Sequence, residues 1–73
     1  MKVFILTCVD ENCDLIFCKA YRSPKEAKDE MTLQFNEKKA EPSRIDYANI
    51  NDASADIGNE YYGFVWQITE DEL

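Results

Sequence analysis

The chain has 73 residues, 45% of them hydrophobic, which makes it one small globular domain near the lower limit for a single core. With no His and glycines only at Gly58 and Gly63, Cys–His and Ser–His catalysis and a Gly-rich phosphate loop are excluded. A net charge of −7 argues against direct contact with nucleic acid, whose phosphates it would repel.

Residues 2–9 and 15–21 are rich in β-branched and aromatic types and flank the polar stretch DENCD, which predicts a β-hairpin. Centring it on Cys13 sets Cys8 opposite Cys18, Leu6 opposite Ala20 and Phe4 opposite Arg22. Phe4, Leu6, Cys8, Ile16, Cys18 and Ala20 would then share one face, with two of the thiols in the core as small hydrophobes. Three Cys at five-residue spacing with no His do not match a zinc site, and an odd count points to reduced thiols. The apolar run VFILTCV is too short to span a bilayer and lacks the features of a signal peptide, so a cytoplasmic protein is expected.

SPKE at residues 23–26 predicts a helix start. Ser23 caps, Pro24 takes the first helical position and Glu26 completes a capping box. The helix is expected to run to about Ala40 and to end at Pro42. Ala27, Met31 and Phe35 recur every four residues and should face a sheet, with Lys38 along the edge by its stem. On the other side Glu26, Asp29, Glu30 and Glu37 surround Leu33. That is a solvated charged face, and also a candidate contact for a protein partner.

Residues 41–52 show no period and are expected as a loop with a short helical turn around Tyr47 to Ile50. A third strand near Ala53–Ile57 and a tight turn at GNE should follow. The stretch YYGFVWQIT then predicts a fourth strand, in which Tyr62, Phe64, Trp66 and Ile68 alternate with Tyr61, Gly63, Val65 and Gln67. The bulkier set is assigned to the helix side.

The expected fold is α+β: ββαββ, one helix packed on a four-stranded mixed sheet in the order 2-1-4-3, its central pair parallel. One helix covers one sheet face. The other face should show Val3, Ile5, Val9, Phe17, Tyr21, Tyr61 and Val65, with Thr7, Lys19 and Gln67 as its polar members. A solvated sheet face normally alternates to polar residues, and contiguous apolar patches mark interaction sites. Val3, Ile5, Val9, Phe17, Tyr21 and Val65 are therefore the expected dimer face, unless residues 41–52 wrap back over them.

Charge is segregated along the chain. Eight bases and eight acids balance between Lys2 and Arg44, whereas Asp46 to Leu73 holds seven acids and no base. Carboxylate pairs such as Asp10 with Asp14 or Asp52 with Asp56 arise by chance in so acidic a chain. DENCD and INDASAD also lack the Gly and closing Glu of a calcium loop. No catalytic residue, metal or cofactor is expected. Asp52, Asp56 and Glu60, with Glu26, Asp29, Glu30 and Glu37 on the helix, could instead imitate phosphates toward a basic protein.

The stretches MKVFILTCVD, SPKEAKDEM and YYGFVWQITEDEL resemble those of small acidic bacterial and phage-associated proteins. In size, acidity and lack of catalytic residues the chain is also similar in type to anti-CRISPR and other DNA-mimic inhibitors. That similarity implies an inhibitor, in a bacterial or infected host cell, that blocks a basic nucleic-acid-binding groove. Two readings stand. One is a non-catalytic protein-binding module, as a homodimer or with another protein, whose acidity keeps it soluble. The other is the phosphate-mimicking inhibitor. Neither involves a membrane.

Overall fold

The computed structural model describes residues 1–41 and 44–73. Among them are one helix and five strands: β1 (Lys2–Asp10), β2 (Leu15–Tyr21), α1 (Pro24–Lys39), β3 (Tyr47–Ile50), β4 (Ser54–Gly58) and β5 (Gly63–Glu72). The strands form one antiparallel sheet in the order β2-β1-β5-β4-β3, with α1 packed across β1, β2, β4 and β5.

The helix begins at the Ser23 cap and first-turn Pro24 that its sequence predicts. Ser23 is extended and its hydroxyl accepts the Glu26 amide at 3.2 Å, Pro24 occupies the first turn, and Lys38 and Lys39 sit at the negative end of the dipole. Ala40 is the C-cap. Pro42, expected to stop the helix, lies outside the described residues. Ala27, Met31 and Phe35 are buried against Leu6, Cys8, Ala55, Ile57 and Trp66. Trp66 is 1% exposed, and its indole N–H donates to Gln34 Oε1 at 2.9 Å, while Gln34 Nε2 donates to Glu30 at 2.8 Å. A buried indole keeps its donor satisfied in this way. Phe35 and Trp66 meet edge-to-face at 6.1 Å. Burying a Leu- or Met-sized side chain such as Leu6 or Met31 contributes about 1.5–3 kcal/mol, which a core this small needs at each position.

The two largest differences from the sequence expectation are in the sheet and in the hairpin. The first is the sheet. Tyr47–Ile50 is a strand rather than a helical turn, so five strands form where four were expected. The extra strand reverses the direction of everything after it, and β5 therefore runs antiparallel to β1 instead of parallel. The neighbour order of the four expected strands is kept, with β3 added outside β4.

The second is the hairpin register. Phe4 pairs with Tyr21, Leu6 with Lys19 and Cys8 with Phe17, one residue away from the expected pairing, and a bulge follows between Cys8 and Val9. A slip of one residue moves a whole strand's side chains to the other face. Phe17 and Tyr21 thus pack against the core under α1, and Cys18 is exposed on the opposite side rather than buried. Burial and the nearby Glu30 and Glu26 carboxylates push the Tyr21 phenol above its ordinary value. Cys8, in contrast, is buried as expected.

The GNE turn is braced by Asn59, and β5 starts only at Gly63, leaving Tyr61 81% exposed in the loop. β5 then runs on through Glu70, Asp71 and Glu72, which pair with Phe4, Val3 and Lys2 of β1. The acidic end of the chain is a strand, not a solvated tail. No described helix is long and apolar enough to cross a membrane.

Candidate functional site

The face of the sheet away from α1 is built in rows fixed by the strand register. Leu15, Val9, Val65, Asp56 and Asn49 stand side by side across all five strands. The next row is Cys18, Thr7, Gln67 and Ser54, followed by Ala20, Ile5 and Thr69. Apolar character is thus concentrated on β2 and β1, with Val65 as its extension onto β5, and the face turns polar from there to β3. Leu15 is 59% and Val65 47% exposed, while Ile5 and Val9 are half-buried.

Of the residues expected on a dimer face, Ile5, Val9 and Val65 are placed there. Phe17 and Tyr21 are corrected to the helix side by the register slip. Val3 shares the open face by alternation but is 7% exposed and offers little contact area. Leu15, Cys18 and Ala20 take the vacated positions.

Residues 44–52 do not wrap over this face. Ile45 turns inward and packs on the core cluster, and only Tyr47 reaches across. Its hydroxyl lies over the paired Gly58 and Gly63, where a Cβ built on Gly58 would stand 2.6 Å from it and one on Gly63 would also collide with it. The two glycines make room for the phenol.

At the Leu15 end, the face runs into a groove of about 470 Å³ between the β1–β2 and β4–β5 loops. Val9, Val65 and Tyr47 form part of its lining, and Asp10, Glu11, Cys13, Glu60, Tyr61 and Tyr62 contribute from the loops. Both loops are held by side-chain acceptors, the physical reason that Asp and Asn suit tight turns. Asp10 Oδ1 accepts the amides of Asn12 at 2.9 Å and Asp14 at 3.1 Å, and Cys13 adopts φ 64°. Asn59 Oδ1 accepts the amides of Tyr61 at 2.8 Å and Tyr62 at 3.1 Å, and its Nδ2 donates to the Arg44 carbonyl at 2.8 Å. The Gly63 amide donates to Glu11 at 3.4 Å, joining one loop to the other.

Three carboxylates and three tyrosines therefore converge on the groove, and no Lys or Arg lines it. Arg44 is held by Asp46 at 2.8 Å in a separate, smaller hollow beside Glu60 and Tyr61. Among the described residues, Asp10, Glu11 and Glu60 have no basic partner within 4.0 Å.

The acids expected to form one phosphate-like surface are scattered. Glu26, Asp29, Glu30, Leu33 and Glu37 lie along α1, Asp52 in the β3–β4 turn, Asp56 on the opposite sheet face, and Glu60 in the loop at the far end of β4. Two are already compensated. Lys25 meets Asp29 at 2.7 Å, and Lys28 meets Asp52 at 2.5 Å. The Lys28 hydrogen bond and charge hold the Asp52 carboxyl below the usual carboxylate range. Asp56 and Glu60 remain beside the open face and its groove, where sequence reasoning placed neither Asp10, Glu11, Tyr47 nor Tyr62. Of these only Tyr62 left a signal: NEYYG puts two tyrosines in a turn, where side chains are commonly small and polar.

Among the described residues, no three His, Cys, Asp or Glu side chains are grouped as metal ligands. Comparisons with protein-family models, with curated proteins and with solved structures gave no match.

Proposed function

We propose that this chain is a non-catalytic protein-binding module that works through the sheet face left open by α1. The observation that carries this reading is the apolar strip of exposed Leu15 and Val65 with half-buried Val9 between them, continuous with a groove and covered by no described element. Covering side chains of this size that stand half in water would gain about half of the 1.5–3 kcal/mol of a full burial for Leu15 and for Val65, so a contiguous strip of them favours a partner that covers it. A second copy of the chain stacked on the same face is one such partner, and another protein is the other. The phosphate-mimic reading has less support. It needs a continuous array of uncompensated acids, whereas Asp29 and Asp52 are paired with lysines and Asp56 faces away from α1.

Sedimentation equilibrium over a concentration series, followed by affinity capture from a bacterial lysate at low and moderate salt, tests this. The wild type should dimerise or retain a discrete protein at both salts, because apolar burial is not screened as exposed charge is. Leu15→Asp and Val65→Asp should abolish that association with the circular dichroism spectrum unchanged. An association that both variants keep, or that washes away with salt in the wild type, contradicts the proposal.

A further inference from the structure

Strand β2 ends the sheet with its outer edge unpaired. We propose that this edge pairs antiparallel with β2 of a second copy of the chain, about a two-fold axis through Cys18. The inference goes beyond the open-face reading, because it uses the rim of the sheet and leaves that face free.

The edge is suited to pairing. β2 runs for seven residues, LIFCKAY, without Pro or Gly. Among the described residues, no loop or turn hydrogen-bonds to its backbone from the side away from β1. Such an edge is a ready template for another strand unless Pro or charged side chains block it. Its one charged residue is Lys19, whose ammonium lies over the Tyr21 ring at 5.3 Å.

Charge selects the occupant and the register. A two-fold axis perpendicular to the sheet pairs residues symmetrically about one position, and about Cys18 the segment from Asp14 to Arg22 is self-complementary. Asp14 falls opposite Arg22 of the second copy, twice in each dimer. Both residues are exposed, and among the described residues neither has an ion-pair partner within 4.0 Å. Phe17 falls opposite Lys19 of the second copy, a pairing of ring and cation. Moving the axis to Lys19 opposes two like charges, and moving it to Phe17 sets Asp14 against Ala20. At the other rim, the same operation on β3 about Asn49 would set Asp46 against Asp52. Opposite charges across a strand pair stabilise it and like charges do the reverse, so β2 and the Cys18 axis are favoured.

The product is a ten-stranded sheet with both helices on one side and both open faces on the other. Cys18, exposed and reduced, meets its own copy on the axis. Opposed residues of antiparallel strands have Cα atoms about 4.5 or 5.5 Å apart, a separation that a disulfide spans.

Sedimentation of Asp14→Arg, of Arg22→Asp and of an equal mixture of the two tests the pairing, with circular dichroism confirming that each variant is folded. Each variant alone should dimerise about tenfold more weakly than the wild type, because like charges replace two ion pairs. The mixture should regain wild-type association, since every Arg then meets an Asp. Copper phenanthroline should also link Cys13→Ser chains into disulfide dimers and leave Cys18→Ser chains unlinked. A wild type that stays monomeric, single variants that associate as the wild type does, a mixture no better than its components, or linkage without Cys18 would each overturn the proposal.

The edge and the open face fail separately. Asp14→Arg closes the edge, so any association that remains in it and that Leu15→Asp and Val65→Asp abolish belongs to the face. If the charge variants change nothing while those two do, the edge proposal fails and the face stands.

Discussion

At the residue scale, the three thiols show how one position in a strand decides chemistry. Cys8 lies under α1, and burial pushes its thiol up to about 11, with the Lys38 charge only partly offsetting this. Cys13 and Cys18 are exposed. A thiol reagent at about pH 8 should therefore modify Cys13 and Cys18 at once and Cys8 only after denaturant is added. Because the folded state raises the pKa of Cys8, its contribution to stability is complete below the unfolded value near 9 and is lost as pH rises toward 11. The loss is on the order of 2–3 kcal/mol. Urea midpoints for the wild type and Cys8→Ala, compared at about pH 8 and about pH 11, should show the wild type losing more. A parallel loss in both proteins would contradict this.

The same strand shows where sequence reasoning slipped. Alternation identified Leu6 and Cys8 as core residues, because β1 is central and neighbouring strands hold its register on both sides. It gave β2 the wrong face. Ile16, Cys18 and Ala20 are as apolar as Phe17 and Tyr21, so binary pattern could not choose between the two registers. The register observed is the one that accommodates the bulge at Cys8–Val9 beside the loop in which the Asp10 carboxylate accepts the Asn12 and Asp14 amides.

At the scale of elements, α1 was legible to within a residue, since its cap, its first-turn Pro and its four-residue apolar spacing agree. β3 was not. Its residues are all exposed, as an edge strand can be, so no alternation of burial marks it. Missing it cost the strand direction of the central pair, but not the neighbour order, which follows from which strands are most apolar.

What ties helix to sheet is also partly polar. The Gln34 side chain accepts the Trp66 indole N–H and donates to Glu30. Gln34→Leu should lower stability by about 1–3 kcal/mol through the stranded indole donor. Glu30→Gln, at the half-buried outer end of the chain of hydrogen bonds, keeps an acceptor for Gln34 and should change it by about 0.5 kcal/mol or less. Urea titrations followed by Trp66 fluorescence would measure both. Equal effects would mean that the network contributes nothing specific.

At the scale of the whole molecule, the segregated charge has a structural answer. The acids after Asp46 do not form one surface. Glu70 meets Lys2 at 3.8 Å along the β1–β5 seam, Asp52 is held by Lys28, Asp46 by Arg44, and Glu60 faces the groove. Folding sets Lys2, Lys28 and Arg44 of the charge-balanced first part against acids of the second, and what stays without a basic partner among the described residues at one end of the open face is Asp10, Glu11 and Glu60. The open face itself was legible from counting one helix against one sheet. The groove was not, because it depends on two loops that are far apart in sequence and meet only when β1 pairs with β5.

The proposed function requires that the open face, not the helix face, meets the partner. A photoreactive benzophenone side chain placed at Leu15, and separately at Glu37, tests it most directly. A partner on the open face gives a discrete cross-linked species from position 15, whether a second copy or another protein, and none from position 37. Cross-links from position 37 alone would contradict it and return attention to the acids of α1.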